Sequence, residues 1–473
     1  MERYDLVIIG LGSGGIVAAE LATSIGLRVA AVEGDRIGGD CLWTGCVPSK
    51  ALLATAKAAH LMRTAERLGL AAHDPDVDTR RVWRRIRAVR EEIAATDDSP
   101  ERITALGVEL VLGRARLADP HTVEVLDAAG ATSARLATRF VLVCTGSRPA
   151  VPEVPGLADV PYLTNETVFD VDDVPDRVIV LGAGPVGVEL AQALHRLGIL
   201  TTVLQRGPRM LPRDEPALVE LLTDIFRVEG VDLRTDVDVT RVEPADGGVA
   251  VYGVERGDPR QWSADAVLVA TGRRPNVEGL ELDRVGVRTD RRGIVVDDRL
   301  RTTLDSVYAA GDVTGRALFT HAAAYEAATA VRNMFFPGTA RAHATVPWCT
   351  FTDPELAHAG MTEAEARAAH GDRIEVWRHD LVHNDRARAE AATEGAVLLV
   401  TAKGRLVGAH VLAPSAGELI HELAYAIGRR ARLDELTGVV HVYPTIGTSV
   451  ARLAADAAYD KARRFRWLVR RGG

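Results

Sequence analysis

Hydrophobic positions along the chain fall into two regimes, short unbroken apolar runs and longer stretches with helical spacing. Residues 4–10 (YDLVIIG) form an apolar run of strand length closed by glycine. A glycine turn then leads into a helical stretch from Gly10 to about Gly26, and Arg28 to Glu33 reads as a second strand. The pattern is helical from Ala51 to about Leu68 and again from about Asp78 to Ala95. Strand-like runs follow, ending in FVLVCTGSRP, and Pro149, Pro152 and Pro155 mark a boundary. A second unit opens at Arg177 with RVIVLGAGPVGVEL and closes at AVLVATGRRPN, near Asn276. The stretch from about Val277 to His343 contains VYAAGDVTG. A third unit starts at about Ala344, is turn-rich through FTDPELAHAGMTEAEA, and ends in a helical tail, Val450 to Arg470.

Two of these stretches echo each other. VIIGLGSGG…VCTGSRP and VIVLGAGPVG…VATGRRP both read strand, glycine turn, helix, and later a strand followed by Thr-Gly. The pattern predicts an α/β chain with two Rossmann-like dinucleotide-binding domains plus a C-terminal α+β domain. The first domain is discontinuous, 1–150 with 277–343; the second is 151–276; the third is 344–473.

The first turn is Gly10-x-Gly12-x-x-Gly15, directly after a strand and opening a helix. Glycine at those places allows a tight turn and lets backbone amides approach a pyrophosphate, which the helix N-terminus favours. Glu33 ends the next strand, where a carboxylate can hold a ribose hydroxyl. The second turn is Gly182-x-Gly184-x-x-Gly187. There the strand Thr201 to Leu204 ends in Gln205, not an acid, and Arg206 and Arg209 follow. A carboxylate would repel a 2'-phosphate and an arginine would pair with it, so NADP is expected over NAD. The alternative is that these arginines are ordinary surface residues of an arginine-rich chain.

Composition narrows the picture. At 473 residues the chain exceeds one ordinary domain, and 47% hydrophobic residues suffice for a large core. A net charge of -8 argues against nucleic acid as a partner. The N-terminal sequence lacks a signal-peptide pattern and no run approaches a membrane span of about 20 apolar residues, so a cytoplasmic protein is expected. Only four residues are lysine, Lys50, Lys57, Lys403 and Lys461, and four are cysteine, Cys41, Cys46, Cys144 and Cys349. One lysine and two cysteines share the segment GGDCLWTGCVPSK. Pro48 suits the first turn of a helix, which would place both sulfurs at a positive helix end that favours a thiolate. Zinc would need further ligands at metal spacing and none follow, so no metal site is expected. Cys144 and Cys349 read as structural.

GGDCLWTGCVPSK resembles the redox motif of the class I pyridine nucleotide-disulfide oxidoreductases, a family that includes dihydrolipoamide dehydrogenase, glutathione reductase and mercuric reductase. The resemblance runs over essentially the whole chain, through both glycine turns, the segments at Thr145 and Thr271, and AAGD at Asp312. It implies that residues 1–150 and 277–343 bind FAD, that 151–276 bind NAD(P)H, and that 344–473 form a homodimer interface. It implies Cys46 as the thiolate against the flavin and Cys41 as the interchange thiol. Lys50, paired with Glu189, would lie beside the flavin N5. FAD would be held by Gly10, Gly12, Gly14, Gly15, Glu33, Gly39, Thr145, Gly146, Gly311 and Asp312; the nicotinamide nucleotide by Gly182, Gly184, Gly187, Arg206 and Gly272. Hydride would pass from NAD(P)H to flavin, and electrons to the disulfide and then the acceptor.

The chain departs from that pattern near its C-terminus. Where the disulfide reductases carry a His-Pro delivered by the dimer partner, with Glu four residues after the Pro, this chain has Tyr443-Pro444 and Thr448. Tyrosine is a poor base at neutral pH. If the segment is extended, His441 shares a face with Tyr443 and could substitute; otherwise it is an interface histidine. Tyr443 and the VLQRG stretch resemble mercuric reductase, but no cysteine follows Cys349, which argues against mercury. Trp43 and Thr44 replace the usual Asn-Val and either narrow access or pack. The expected activity is electron transfer from NADPH to an unassigned disulfide, metal ion or quinone. The alternatives are a dihydrolipoamide dehydrogenase-like dithiol enzyme using His441, and a redox-sensing flavoprotein with slow turnover.

Overall fold

The computed structural model describes residues 3–338, 340–342 and 345–464. The expected boundary at 343–344 and the last part of the expected helical tail lie outside them. The tail is a helix at Thr448–Arg464.

The first apolar run is the strand β1 (Tyr4–Ile9), and the glycine turn opens α1 (Ser13–Ser24). β2 (Val29–Glu33) and β3 (Glu109–Leu112) add on one side in parallel, and Thr132–Val143 adds on the other. That long strand belongs to two arrangements. Its second half pairs in parallel with β1 and with Val307–Ala309, and its first half turns antiparallel against Thr122–Leu126. The return of Val307–Ala309 to this sheet is why the first unit is discontinuous in sequence. β1 and β2 are buried along nearly their whole length because α1 and the helix Thr320–Phe335 cover one face and the antiparallel strands Arg114–Asp119 and Thr122–Leu126, with the first half of Thr132–Val143, cover the other.

The second unit repeats the plan. A parallel sheet runs Asp232–Arg234, Leu200–Leu204, Arg177–Leu181, Ala266–Val269, Tyr162–Leu163, with the helix Pro185–Arg196 after its glycine turn. The third unit is a five-stranded antiparallel sheet, Trp348–Thr350, Glu355–Gly360, Arg405–Ala413, Ala396–Ala402, Ile374–Asp380, backed by the helix Ala416–Gly428.

The two Thr-Gly echoes meet. Ser147–Pro149 pairs antiparallel with Arg273–Pro275, where the chain enters and leaves the second unit. The Thr145 hydroxyl donates to the carbonyl of Asn276 at 2.7 Å, and the Thr271 hydroxyl to that of Ala150 at 2.6 Å.

The units also lock through a buried cation. Arg196 donates two hydrogen bonds to Glu229, one to the Asp353 carboxylate at 2.8 Å and one to the Asp353 carbonyl at 3.2 Å, and its side chain is 5% exposed. Lys57 reaches Asp353 at 3.1 Å. Burial opposes ionisation of Asp353, yet Arg196 and Lys57 hold its carboxyl below the usual range. Removing one member of a buried ion network leaves uncompensated charge, which costs about 3–5 kcal/mol. Arg196→Met is therefore expected to lower the thermal unfolding midpoint at equal FAD occupancy; an unchanged midpoint would contradict this.

Candidate active site

The redox segment begins on a glycine contact. Gly12 bridges Gly38, and a Cβ on Gly39 would lie 3.0 Å from the Gly12 Cα, so the segment lies directly on the first dinucleotide turn. Asp40 and Cys41 fall in a short helix, α2 (Gly39–Trp43), and Cys46 is the first residue of α3 (Cys46–Arg63). The helix thus starts five residues before the expected Ala51, with Pro48 in its first turn. Cys46 is the first residue of α3 and Cys41 lies in α2, with Gly45 between the two helices; the Cys41 sulfur reaches the α3 end through its hydrogen bond to Cys46. Trp43 and Thr44 line the cavity and are held by local bonds. The Trp43 indole donates to the Ile37 carbonyl at 2.7 Å with Arg36 over its ring, and the Thr44 hydroxyl donates to Asp40 at 2.6 Å.

The cysteines are free thiols, and they ionise unequally. A hydrogen bond between them lowers the Cys46 pKa, helped by the Thr320 hydroxyl and the Lys50 ammonium against burial and Asp40. The same hydrogen bond, with burial, pushes the Cys41 thiol far up, while Thr320 and Ser13 hydroxyls act the other way. Both shifts favour keeping a proton on Cys41 over keeping one on Cys46.

Behind Cys46, one helical turn on, Lys50 Nζ donates to Glu189 Oε2 at 2.9 Å. The Glu189 side chain is 8% exposed, and its other oxygen accepts from the Phe351 amide at 2.9 Å. The ammonium also stands 4.2 Å from the Phe351 ring centroid. The predicted pairing is present, held by a third partner that nothing local to either motif signals.

In front of the pair runs a charge network. Arg273 Nη2 reaches Asp40 at 3.0 Å, its Nε donates to the Ser147 hydroxyl at 2.7 Å, and Asp312 lies 3.6 Å away. Ser147 in turn donates to Asp312 at 2.6 Å. Burial raises the Asp312 carboxyl against that hydrogen bond and Arg273. Arg273 and Ser147 sit beside the predicted Gly272 and Gly146, and the echo between TGSRP and TGRRP was the signal that could have found them.

A continuous cavity of about 2430 Å³ joins these groups. The predicted site residues line it except Gly15, Gly187, His441 and Tyr443. Its size exceeds the several hundred cubic ångströms of a site for one drug-sized ligand and suits two dinucleotides. The backbone fits them too. Gly10 has φ +94°, and a Cβ at Gly15 would stand 1.9 Å from the Gly10 carbonyl oxygen, so turn and helix can meet only without side chains. Gly182 and Gly187 repeat the arrangement. Gly12 and Gly184, on the wall, meet no close obstacle and leave their side open to a ligand. FAD would be held by the first turn, Glu33 and Asp312, and the nicotinamide nucleotide by the second turn.

The two turns differ at one atom. Glu33 Oε2 accepts from the Leu11 amide at 2.6 Å inside the first turn, and Gln205 Oε1 accepts from the equivalent Ala183 amide at 2.9 Å inside the second. Burial raises the Glu33 carboxyl against these backbone donors. Gln205 performs the same structural task without charge, and exposed Arg206 lines the cavity next to it.

His441 and Tyr443 do not share a face. The segment is irregular, not a strand, so the alternation that would align them is lost. The His441 ring is buried, with Nε2 3.2 Å from Glu422 and Nδ1 3.1 Å from the Val439 carbonyl. Both nitrogens face acceptors, leaving none to take a proton from a thiol. Tyr443 is 69% exposed and donates to Asp385 at 2.9 Å, which raises its pKa further. Cys144 is buried as expected. Cys349 is not simply core: it is half-buried on the cavity wall, and burial raises its thiol pKa.

Comparison with known proteins agrees with this geometry. Residues 4–328 match the family described as pyridine nucleotide-disulphide oxidoreductase, and 346–454 match its dimerisation domain. The chain belongs to the pyridine nucleotide-disulphide oxidoreductases. It is 36% identical over 469 residues to a mercuric reductase of Streptomyces lividans, covering 97% of each chain. It is 35% identical over 460 residues to dihydrolipoyl dehydrogenase 2 of Haloarcula marismortui, covering 96% of each. The solved structure of the Cu(II) complex of the HOCl-induced flavoprotein disulfide reductase RclA from Escherichia coli superposes with a TM-score of 0.84 at 26% identity, covering 96% of this chain and 99% of that one. The oxidoreductase is thus a flavin-dependent enzyme of a family that takes electrons from NAD(P)H. No helix among the described residues is long and apolar enough to cross a membrane.

Because the Cys46 pKa is lowered, its thiolate persists below the usual thiol range and is lost only as pH falls through that lowered value. Iodoacetamide added to reduced protein at pH 7 should modify Cys46 faster than Cys41 by more than about tenfold, one pKa unit being a factor of ten. Peptide mass analysis reads the ratio, and equal labelling would reverse the assignment.

Proposed function

We propose that this enzyme passes electrons from NADPH to the Cys41–Cys46 pair and on to an acceptor taken at the two sulfurs without an imidazole base. The observation that carries the reading is the combination of Cys46, placed at the N-terminus of α3 with the Thr320 hydroxyl 3.1 Å from its sulfur, and a histidine, His441, whose nitrogens are both engaged. Bound flavin supplies the two-electron relay between nicotinamide and sulfur. The chain's residues do the rest. Lys50, fixed by Glu189 and Phe351, places a compact cation beside the ring site; the N-terminus of α3 and the Lys50 charge keep Cys46 ionised; Cys41 is the exchanging thiol and reacts once it gives up its proton. Arg273 neutralises Asp40, whose charge would otherwise oppose that ionisation.

Reduction of a lipoamide- or glutathione-like disulfide needs proton delivery to the departing thiolate. Tyr443 binds its proton more firmly than an ordinary tyrosine and His441 is committed, so a thiophilic metal ion is favoured as acceptor. Two soft sulfur donors suit such an ion. The mercuric reductase relative and the Cu(II) complex of RclA support that class. A homodimer is proposed from the dimerisation-domain match and from the exposed apolar residues Val440, Val442 and Tyr425. The proposed location is the cytosol, where the thiol pool stays reduced.

An anaerobic NADPH-oxidation screen over Cu(II), Hg(II), quinones and disulfides tests the acceptor. Turnover with a metal ion that is lost in Cys41→Ser and Cys46→Ser is the expected result; turnover confined to lipoamide, and abolished by His441→Gln, would establish the dithiol reading instead. For the nucleotide, Arg206→Ala should lower kcat/KM for NADPH by roughly 10- to 100-fold, the worth of one charged hydrogen bond, while leaving NADH nearly unchanged. An equal loss for both would remove the phosphate role of Arg206.

A further inference from the structure

Thr320 lies 274 residues from Cys46 in sequence, yet its hydroxyl oxygen stands 3.1 Å from the Cys46 sulfur. It is the first residue of the helix Thr320–Phe335. Inside a helix a threonine hydroxyl can donate to the carbonyl one turn back, as Thr329 does to Tyr325 at 2.8 Å. At the first helical position no such carbonyl exists, and the proton is free for the sulfur. The residues on either side are pinned. Phe319 stacks on Trp348 and on His321, and the His321 Nε2 lies 2.7 Å from the Pro347 carbonyl, turned away from the thiols.

Three helices also begin at this spot: α1 at Ser13, α3 at Cys46, and the Thr320 helix. Their positive ends converge on the pair. The other groups facing Cys46 are Cys41 and Asp40 from α2 and Lys50 from its own helix; Ser13 is directed to Cys41, and Thr320 acts on that sulfur as well as on Cys46. Lys50 is shared with Glu189, so Thr320 is the neutral donor that lies on Cys46 itself.

We infer that the Thr320 hydroxyl donates its hydrogen bond to the Cys46 thiolate and so stabilises the negative charge on that sulfur when the pair is reduced. Touching a reacting atom, Thr320 is a further catalytic residue. The lowered Cys46 pKa agrees with a donor at this place. No bond is made or broken: the threonine keeps its proton throughout, and its role is to hold the negative charge at Cys46. The inference rests on the reading of Cys41 and Cys46 as the redox pair.

The test follows the long-wavelength charge-transfer absorbance of the anaerobically reduced holoenzyme against pH, in wild type, Thr320→Val, Thr320→Ala and Thr320→Ser. Loss of a hydrogen bond to a charged group should move the midpoint up by about one pH unit or more in the Val and Ala variants. Thr320→Ser, which keeps the hydroxyl, should stay near wild type. Unmoved midpoints in Val and Ala, or a Ser midpoint displaced as far as theirs, would overturn the inference. Should a variant bind flavin poorly, the pH profile of Cys46 alkylation by iodoacetamide, read by peptide mass, gives the same comparison without the absorbance. A band absent even from wild type would refute the redox-pair reading, whereas a band with an unmoved midpoint removes only Thr320.

Discussion

A single carboxylate holds the active centre together. Glu189 belongs to the helix of the second dinucleotide unit, yet one of its oxygens takes the ammonium of Lys50 from the redox helix and the other takes the backbone amide of Phe351 from the third unit. It is nearly buried, so both partners are needed to offset its desolvation. That requirement makes the three units agree on one arrangement. The redox helix cannot move without uncovering the carboxylate, and the strand leading to Phe351 cannot slide without leaving one oxygen unpaired. A guanidinium would serve Lys50's place poorly: the pocket accepts a compact cation against one oxygen and one ring.

The chemistry is placed by what helices lack at their ends. Cys46, Thr320 and Ser13 are all first helical residues, where amides are unsatisfied and side chains have no preceding turn to bond. An anionic sulfur is the kind of group such a site retains. The bridge between Gly12 and Gly38 brings the redox segment this close, and a side chain on Gly39 would press on the backbone of Gly12 in the first turn.

Much of this was legible in the residues. The repeated strand–glycine turn–helix pattern located both nucleotide units, because apolar run length and glycine spacing are local properties. The pairing of Lys50 with Glu189 followed from motif resemblance. What was not legible depends on distant chain. Thr320 carries no motif and acquires its role only when its helix docks beside α3. Arg273 lies one residue past a predicted glycine, but its partners Asp40 and Asp312 come from two other segments. His441 and Tyr443 were assigned a common face on the premise of an extended strand, and the irregular backbone there separates them. Cys349 read as structural because its sequence neighbours say nothing of which side of its strand faces a cavity.

The paired ribbon of Ser147–Pro149 and Arg273–Pro275 has a bearing on ancestry as well as on shape. The chain goes into the second nucleotide unit and comes out of it side by side, stitched by Thr145 and Thr271 across the same junction. A module whose two ends leave through one doorway can be inserted into, or lifted out of, a host sheet without unthreading it. The host keeps its own last strand, Val307–Ala309, waiting on the far side of the insertion. Duplication of one nucleotide-binding unit into a loop of its own copy is the simplest route to such a chain, and the near-identical hydrogen bonds at the two Thr-Gly turns are the scar it would leave.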